Sequence, residues 1–202
     1  MKQRKLLELL SLKMTNLVSK NNNAIIVNLF GGPGCGKSTA AAYIFSKLKM
    51  SGVNCELVTE FAKDITWEKN NRALACQPYV FGKQCYRIDR CVDQVDVIIT
   101  DSPLVLTTLY NHDEDIEPEF TQMVLKKFNE FDNFNFLLSR KKPYMKIGRS
   151  QTEEEAKELD AKITSVLNNF NIKYEIIDGS IEGCEEIIYR VKKKLEVERR
   201  CV

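Results

Sequence analysis

Five short apolar runs punctuate the chain, and the residues between them fall into helical spacing. Residues 24–30 (Ala-Ile-Ile-Val-Asn-Leu-Phe) are too short and too continuously apolar for an amphipathic helix, and they read as a strand buried on both faces. Similar runs at 55–59, 95–100, 134–138 and 174–177 predict four more strands. Helical patterns fill the gaps: 38–50, closed by Ser51-Gly52; 61–92, interrupted at Pro78 and Gly82; then 103–110, 118–131, 153–169 and 181–198. Thr152 and Glu155 form a capping-box pair at the start of the helix over 153–169. Before the first strand, Leu6, Leu9, Leu10, Leu17 and Val18 among lysines and serines predict an amphipathic helix, ended by Asn21-Asn22-Asn23.

Strands that alternate with helices imply an α/β fold of three layers, with a five-stranded parallel sheet flanked by helices and joined by right-handed crossovers. The expected organisation is an N-terminal amphipathic helical extension over 1–23 and a single α/β domain over 24–202. Ligands in such sheets sit beyond the carboxyl ends of the strands. Gly31, Glu60, Asp101 and Arg140 each lie just past a predicted strand end, so the topology alone predicts that they converge.

Composition narrows the chemistry. A formal charge of +2 creates no general demand for a polyanionic partner. The seven cysteines are odd in number and contain no C-x-x-C pair, and there is one histidine, His112. They read as reduced thiols of a cytoplasmic protein rather than a disulfide framework or zinc site. With a single histidine, a carboxylate is the expected general base. No apolar run reaches the roughly 18 residues that span a bilayer, and residues 6–12, broken by Glu8 and followed by Lys13, make a poor secretory segment. No membrane partner is expected. The sequence sets no oligomeric state, and a dimer is compatible with it.

Gly31-Gly32-Pro33-Gly34-Cys35-Gly36-Lys37-Ser38 matches the Walker A pattern G-x-x-x-x-G-K-[ST] in full. It follows a predicted strand and opens a predicted helix, which is the context that gives the pattern meaning. The glycines let backbone N–H groups curl around phosphate oxygens, and the helix N-terminus adds its dipole. Lys37 is placed for the β- and γ-phosphates and Ser38 for Mg²⁺, with Thr39 completing the set expected to hold ATP. Cys35 has two readings: a thiol poised for redox chemistry, or a loop position whose backbone N–H alone matters.

Asp101 ends the third strand and is the second expected metal ligand. Ser102 follows it, where motor ATPases place a glutamate to activate water. Glu60 ends the second strand, positioned to take a proton from an attacking hydroxyl; the competing reading is a helix-start Glu favoured by the dipole. Residues 77–90 bring Tyr79, Phe81, Gln84, Tyr86, Arg87 and Arg90 together. Aromatics there stack on a base or fill the core. Gln84 reads as a partner for a base edge, and Arg87, one turn on, as a phosphate hand. The basic stretch over 140–152, with Arg140 and Arg149, reads as a lid whose arginines stabilise the transferring phosphoryl group and whose closure excludes water, or as a solvated loop.

Together, the loop at 31–38, Glu60 within Thr-Glu-Phe-Ala-Lys-Asp, and Asp101-Ser102-Pro103 resemble the P-loop nucleoside and nucleotide kinases, a group that includes thymidylate kinase, the deoxynucleoside kinases and the NadR-like kinases. Those kinases carry a catalytic Glu after the second strand and an Asp-Arg motif after the third; Ser102 stands here in place of the Arg. Within the group, residues 60–64, 79–84 and 101–104 resemble bacteriophage 5-hydroxymethyluridine DNA kinases of the thymidylate kinase family, a likeness spanning roughly residues 24–180. It implies a P-loop kinase fold and ATP- and Mg²⁺-dependent transfer to the hydroxymethyl group of a modified base in phage DNA, in the host cytoplasm. Glu60, Lys37, Arg140 and Arg149 would be catalytic, and Tyr79, Phe81, Gln84 and Arg87 would bind the acceptor. Transfer to a free nucleoside, nucleotide or ribosylnicotinamide is the alternative, and a regulatory ATPase a second.

Overall fold

The computed structural model describes residues 24–140 and 152–200. In chain order they form β1 (Ile25–Phe30), α1 (Lys37–Met50), β2 (Cys55–Val58), α2 (Phe61–Trp67), α3 (Asn71–Ala75), α4 (Gln77–Asp89), β3 (Val97–Thr100), α5 (Leu106–Tyr110), a 3₁₀ turn (Glu114–Ile116), α6 (Glu119–Phe128), β4 (Asp132–Ser139), α7 (Glu153–Asn169), β5 (Glu175–Asp178) and α8 (Ile181–Arg200). All the strands expected from the apolar runs are present, and they pair in parallel in the order β2-β3-β1-β4-β5. The expected N-terminal helix over 1–23 lies outside the described residues, as does the expected lid apart from Arg140 and Thr152.

Strand alternation builds the three layers. Ile25, Val27 and Leu29 of β1 face a core completed by Ala40, Ile44 and Leu48 of α1 and by Ile187, Val191 and Leu195 of α8. Ile26 and Phe30 face the other way, onto Phe81 and Ile88 of α4, Val124 and Phe128 of α6, and Ile163 and Leu167 of α7. Asn28 shares that second face and is buried. Its amide donates to Asn133 Oδ1 at 2.8 Å and Asn135 Oδ1 at 2.9 Å across the β1–β4 pair, so the one polar residue of the first strand is satisfied by a ladder of asparagines.

The interrupted helical stretch over 61–92 resolves into three helices, and its punctuation differs from expectation. The first break follows α2, where Lys69 takes a positive φ of 56°. Pro78 sits in the first turn of α4, where its missing N–H costs nothing, so it starts a helix rather than breaking one. Gly82 lies inside α4. The capping box forms as expected, with Thr152 N–H on Glu155 Oε2 at 2.7 Å and Glu155 N–H on Thr152 Oγ1 at 3.2 Å. No helix among the described residues is long and apolar enough to cross a membrane.

Candidate active site

The sheet order brings the first three strand ends into a row. β3 lies between β1 and β2, with Thr100 in register with Asn28 on one side and Val58 on the other. The loop after β1, Asp101 after β3 and Glu60 after β2 therefore open on one cleft.

The phosphate loop occupies residues 31–36. Gly34 and Gly36 take φ of 81° and 99°, left-handed values that a side chain resists, and the N–H of Cys35 between them donates to the Gly32 carbonyl at 3.3 Å. Gly36 is also the N-cap of α1. No side chain caps that helix and no acidic residue stands in its first turn, so its N-terminal N–H groups are left for an anion. The Lys37 ammonium bridges the loop, donating to the carbonyls of Gly31 at 2.6 Å and Gly32 at 3.1 Å. Ser38 and Thr39 are exposed on the first helical turn. The Cys35 side chain is buried, turned into the core beneath the loop, where a Cβ on Gly31 would come within 2.5 Å of its sulfur. Its placement favours the reading in which only its backbone serves the loop.

Asp101 is buried at the end of β3, and one carboxylate oxygen accepts the backbone N–H of Glu60 at 3.1 Å. This contact ties the second and third strand ends together. Glu60 is half-buried; burial pushes its carboxyl above the usual glutamate range, and the neighbouring Asp101 adds to this while Lys37 and Lys63 oppose it. Lys37, Glu60 and Asp101 thus share one electrostatic neighbourhood. The hydroxyl of Ser38 and the carboxylate of Asp101 are hard oxygen donors beside an uncapped anion hollow, which is the ligand chemistry Mg²⁺ takes with phosphate and water, and the residues fit that ion.

Three expected acceptor contacts are corrected. Gln84 is 2% exposed, and both ends of its amide are committed: Oε1 accepts Phe61 N–H at 2.9 Å and Nε2 donates to the Thr59 carbonyl at 3.3 Å. Buried in this way, it presents no edge to a base. Arg87 donates to the Thr59 carbonyl at 3.1 Å and Thr59 Oγ1 at 3.3 Å, pairs with Asp64, and stacks over the Phe61 ring. It holds the segment after β2 rather than a phosphate. Phe81 is a core residue, 6% exposed and packed edge-on against Phe120, because this face of α4 lies on the sheet. Tyr79 is different: it is 43% exposed, with its ring edge-on to Phe61 at 5.6 Å and the Lys83 ammonium over its face.

Arg140 is also placed differently from expectation. Its guanidinium pairs with Asp160 of α7 at 2.8 Å and donates to the Pro33 carbonyl at 2.9 Å. The other oxygen of Asp160 accepts the Gly32 N–H at 2.5 Å. Arg140 and Asp160 therefore clasp the first half of the phosphate loop. Arg149 lies outside the described residues.

Sequence reasoning missed Asp160, which lies twenty positions from its partner in a helix rich in acids and carries no local signal. It also missed Tyr110, whose phenol pKa is raised by burial and by the charge of Glu60, placing this end of α5 beside the cleft. A cavity of about 680 Å³ lies elsewhere, lined by Phe134, Tyr189 and Val197 among others, and shares no residue with the site.

Residues 26–183 match the family model described as AAA domain. No curated protein matches the sequence. Among solved structures, the NadR protein in complex with NR is similar, with a TM-score of 0.66 and 18% identity over 85% of this chain and 51% of that one. The chain thus spans about half the length of that protein, and the likeness at this identity is one of fold.

Proposed function

We propose that this chain, which belongs to the AAA domain family, is a kinase that moves the γ-phosphoryl group of ATP to a hydroxyl of a small nucleoside-type acceptor. The observation that carries this reading is Glu60: a half-buried carboxyl with raised proton affinity, its own N–H held by Asp101, in the charge field of Lys37. Motor ATPases place a glutamate next to the strand-end Asp to activate water. Here that place is taken by Ser102, whose N–H is bonded to Thr100 Oγ1 at 3.1 Å, and the carboxylate of Glu60 stands past the end of the neighbouring strand β2.

In this reading the acceptor hydroxyl gives its proton to Glu60 as its oxygen bonds to the γ-phosphorus. The bond from that phosphorus to the β–γ bridging oxygen breaks, and ADP leaves. Lys37 exchanges the Gly31 and Gly32 carbonyls for phosphate oxygens and stabilises the developing charge. Mg²⁺, held by Ser38 and Asp101, supplies neutralisation of the phosphate charge when bound. Tyr79 offers an exposed aromatic face to a base or a pyridine ring. NadR, a structural neighbour, was solved in complex with NR, which supports a small acceptor over a base within DNA.

The test is an acceptor screen with γ-labelled ATP, free nucleosides, nucleotides, ribosylnicotinamide and hydroxymethyluracil-containing DNA. Label on a small molecule supports the proposal. Label confined to DNA moves the activity to the hypermodification reading. ATP hydrolysis that no acceptor stimulates removes the kinase assignment in favour of a regulatory ATPase. Glu60→Gln is expected to abolish transfer with ATP affinity retained.

A further inference from the structure

The segment that carries Glu60 is held by side chains from another helix. Glu60 is the N-cap of α2, yet its carboxylate makes no capping bond to that helix. The first N–H of α2, on Phe61, goes instead to Gln84 of α4, and the same amide reaches back to the Thr59 carbonyl. Arg87, one turn further along α4, doubles the hold on Thr59 and anchors to Asp64 on the far side. With Asp101 taking the Glu60 N–H, polar groups of residues 59, 60 and 61 are each bonded by a side chain from outside the segment.

Burying an amide is unfavourable unless both of its ends are bonded, and an aliphatic residue would fill the same volume without that demand. Here the donor end meets a carbonyl and the acceptor end meets an N–H. That pattern fixes the orientation of the amide and satisfies both groups. Because Gln84 supplies the cap, the carboxylate of Glu60 makes no bond to its own helix and lies in the charge field of Lys37 and Asp101.

We propose that Gln84 and Arg87 are positioning residues for phosphoryl transfer, holding the Glu60 backbone so that its carboxylate meets the acceptor hydroxyl. This rests on the reading of Glu60 as the base. Displacing a reacting group by about 1 Å costs on the order of a hundredfold in rate.

The experiment compares Gln84→Met and Arg87→Ala with the unmodified protein, with active sites counted by ATP binding. Gln84→Met keeps the shape of the side chain and removes both bonds. Each variant is expected to lower kcat for transfer about 10- to 100-fold, leaving KM for the acceptor within about twofold and ATP affinity unchanged. Arg87→Lys, which keeps the charge but not the fork, should recover only part of the Arg87→Ala loss. A rise in acceptor KM at constant kcat would overturn the proposal and return Gln84 to base recognition. A normal kcat in both variants, with Glu60→Gln inactive, would overturn positioning alone. An active Glu60→Gln would instead refute the base assignment on which it rests. Arg87 is partly exposed, so its variants test the same point if Gln84→Met fails to fold.

Discussion

The clasp on the phosphate loop makes the sharpest prediction. Asp160 uses its two carboxylate oxygens for different tasks, one on the Gly32 N–H at 2.5 Å and one on the Arg140 guanidinium at 2.8 Å. Arg140 in turn holds the Pro33 carbonyl at 2.9 Å. Asp160→Ala removes both the loop contact and the partner of a guanidinium whose side chain is only 13% exposed. Hydrogen bonds to charged groups are worth roughly 1.5–3 kcal/mol each. These bonds share atoms, and Asp160 is 31% exposed, so their sum is discounted for non-additivity and solvent screening. A loss of about 1.4–2.8 kcal/mol in the preorganisation of the loop is left, which is a ten- to hundredfold weaker Kd for ATP.

Titration calorimetry with a non-hydrolysable ATP analogue reads that loss directly. Arg140→Ala should weaken binding in the same direction, and the double variant should fall short of the sum by about 1 kcal/mol or more, because the two residues act through one clasp. The transition-state role expected for Arg140 from sequence makes the opposite prediction: Arg140→Ala lowers kcat at constant Kd, and Asp160→Ala does little. A Kd within twofold of the parent in Asp160→Ala, or additive single effects, would refute the reasoning. Tighter binding would show instead that the carboxylate competes with phosphate for the loop.

Phe81→Ala should cost about 3–5 kcal/mol in urea unfolding and leave the acceptor KM of the folded enzyme unchanged, since Phe81 is buried in the core against Phe120. Tyr79→Ala should do the reverse, raising acceptor KM at a stability cost under about 1 kcal/mol. Because burial raises the folded-state pKa of Glu60, the free protein loses stability as pH climbs from the ordinary glutamate range through the raised value. Glu60→Gln removes that loss, so its unfolding midpoint should gain on the parent at pH 8 relative to pH 4, and an equal difference at both would contradict the assigned burial. Cys85, whose thiol is pushed up to about 12 by burial and the charge of Asp89, should resist alkylation at pH 8 under conditions in which the exposed Cys76 is labelled, as read by peptide mass spectrometry.

The strands and the phosphate loop were legible because each is written locally. The run over 24–30 is apolar enough to need cover on both faces, and the loop pattern carries its own backbone geometry. The placement of Glu60 and Asp101 was legible for a topological reason: a parallel sheet delivers the residues after its strands to one edge, whatever lies between them. What misled was the use of polar side chains near that edge. Gln84 and Arg87 read as ligand contacts because a core does not ask for an amide or a guanidinium. Yet the segment after β2 leaves its strand at Thr59 and starts a helix at Phe61, so its backbone groups have no ladder partner there. Buried N–H and C=O groups must be paired by something. Gln84, Arg87 and Asp101 pair them from outside, just as Asp160 and Arg140 pair the backbone of the phosphate loop. Helical spacing shows that Phe81, Gln84 and Arg87 sit near one side of α4 without showing that this side is divided between the sheet and the Glu60 segment. The demand of irregular backbone for partners therefore explains both the polar residues whose role was misread and Asp160, one of the two that were missed.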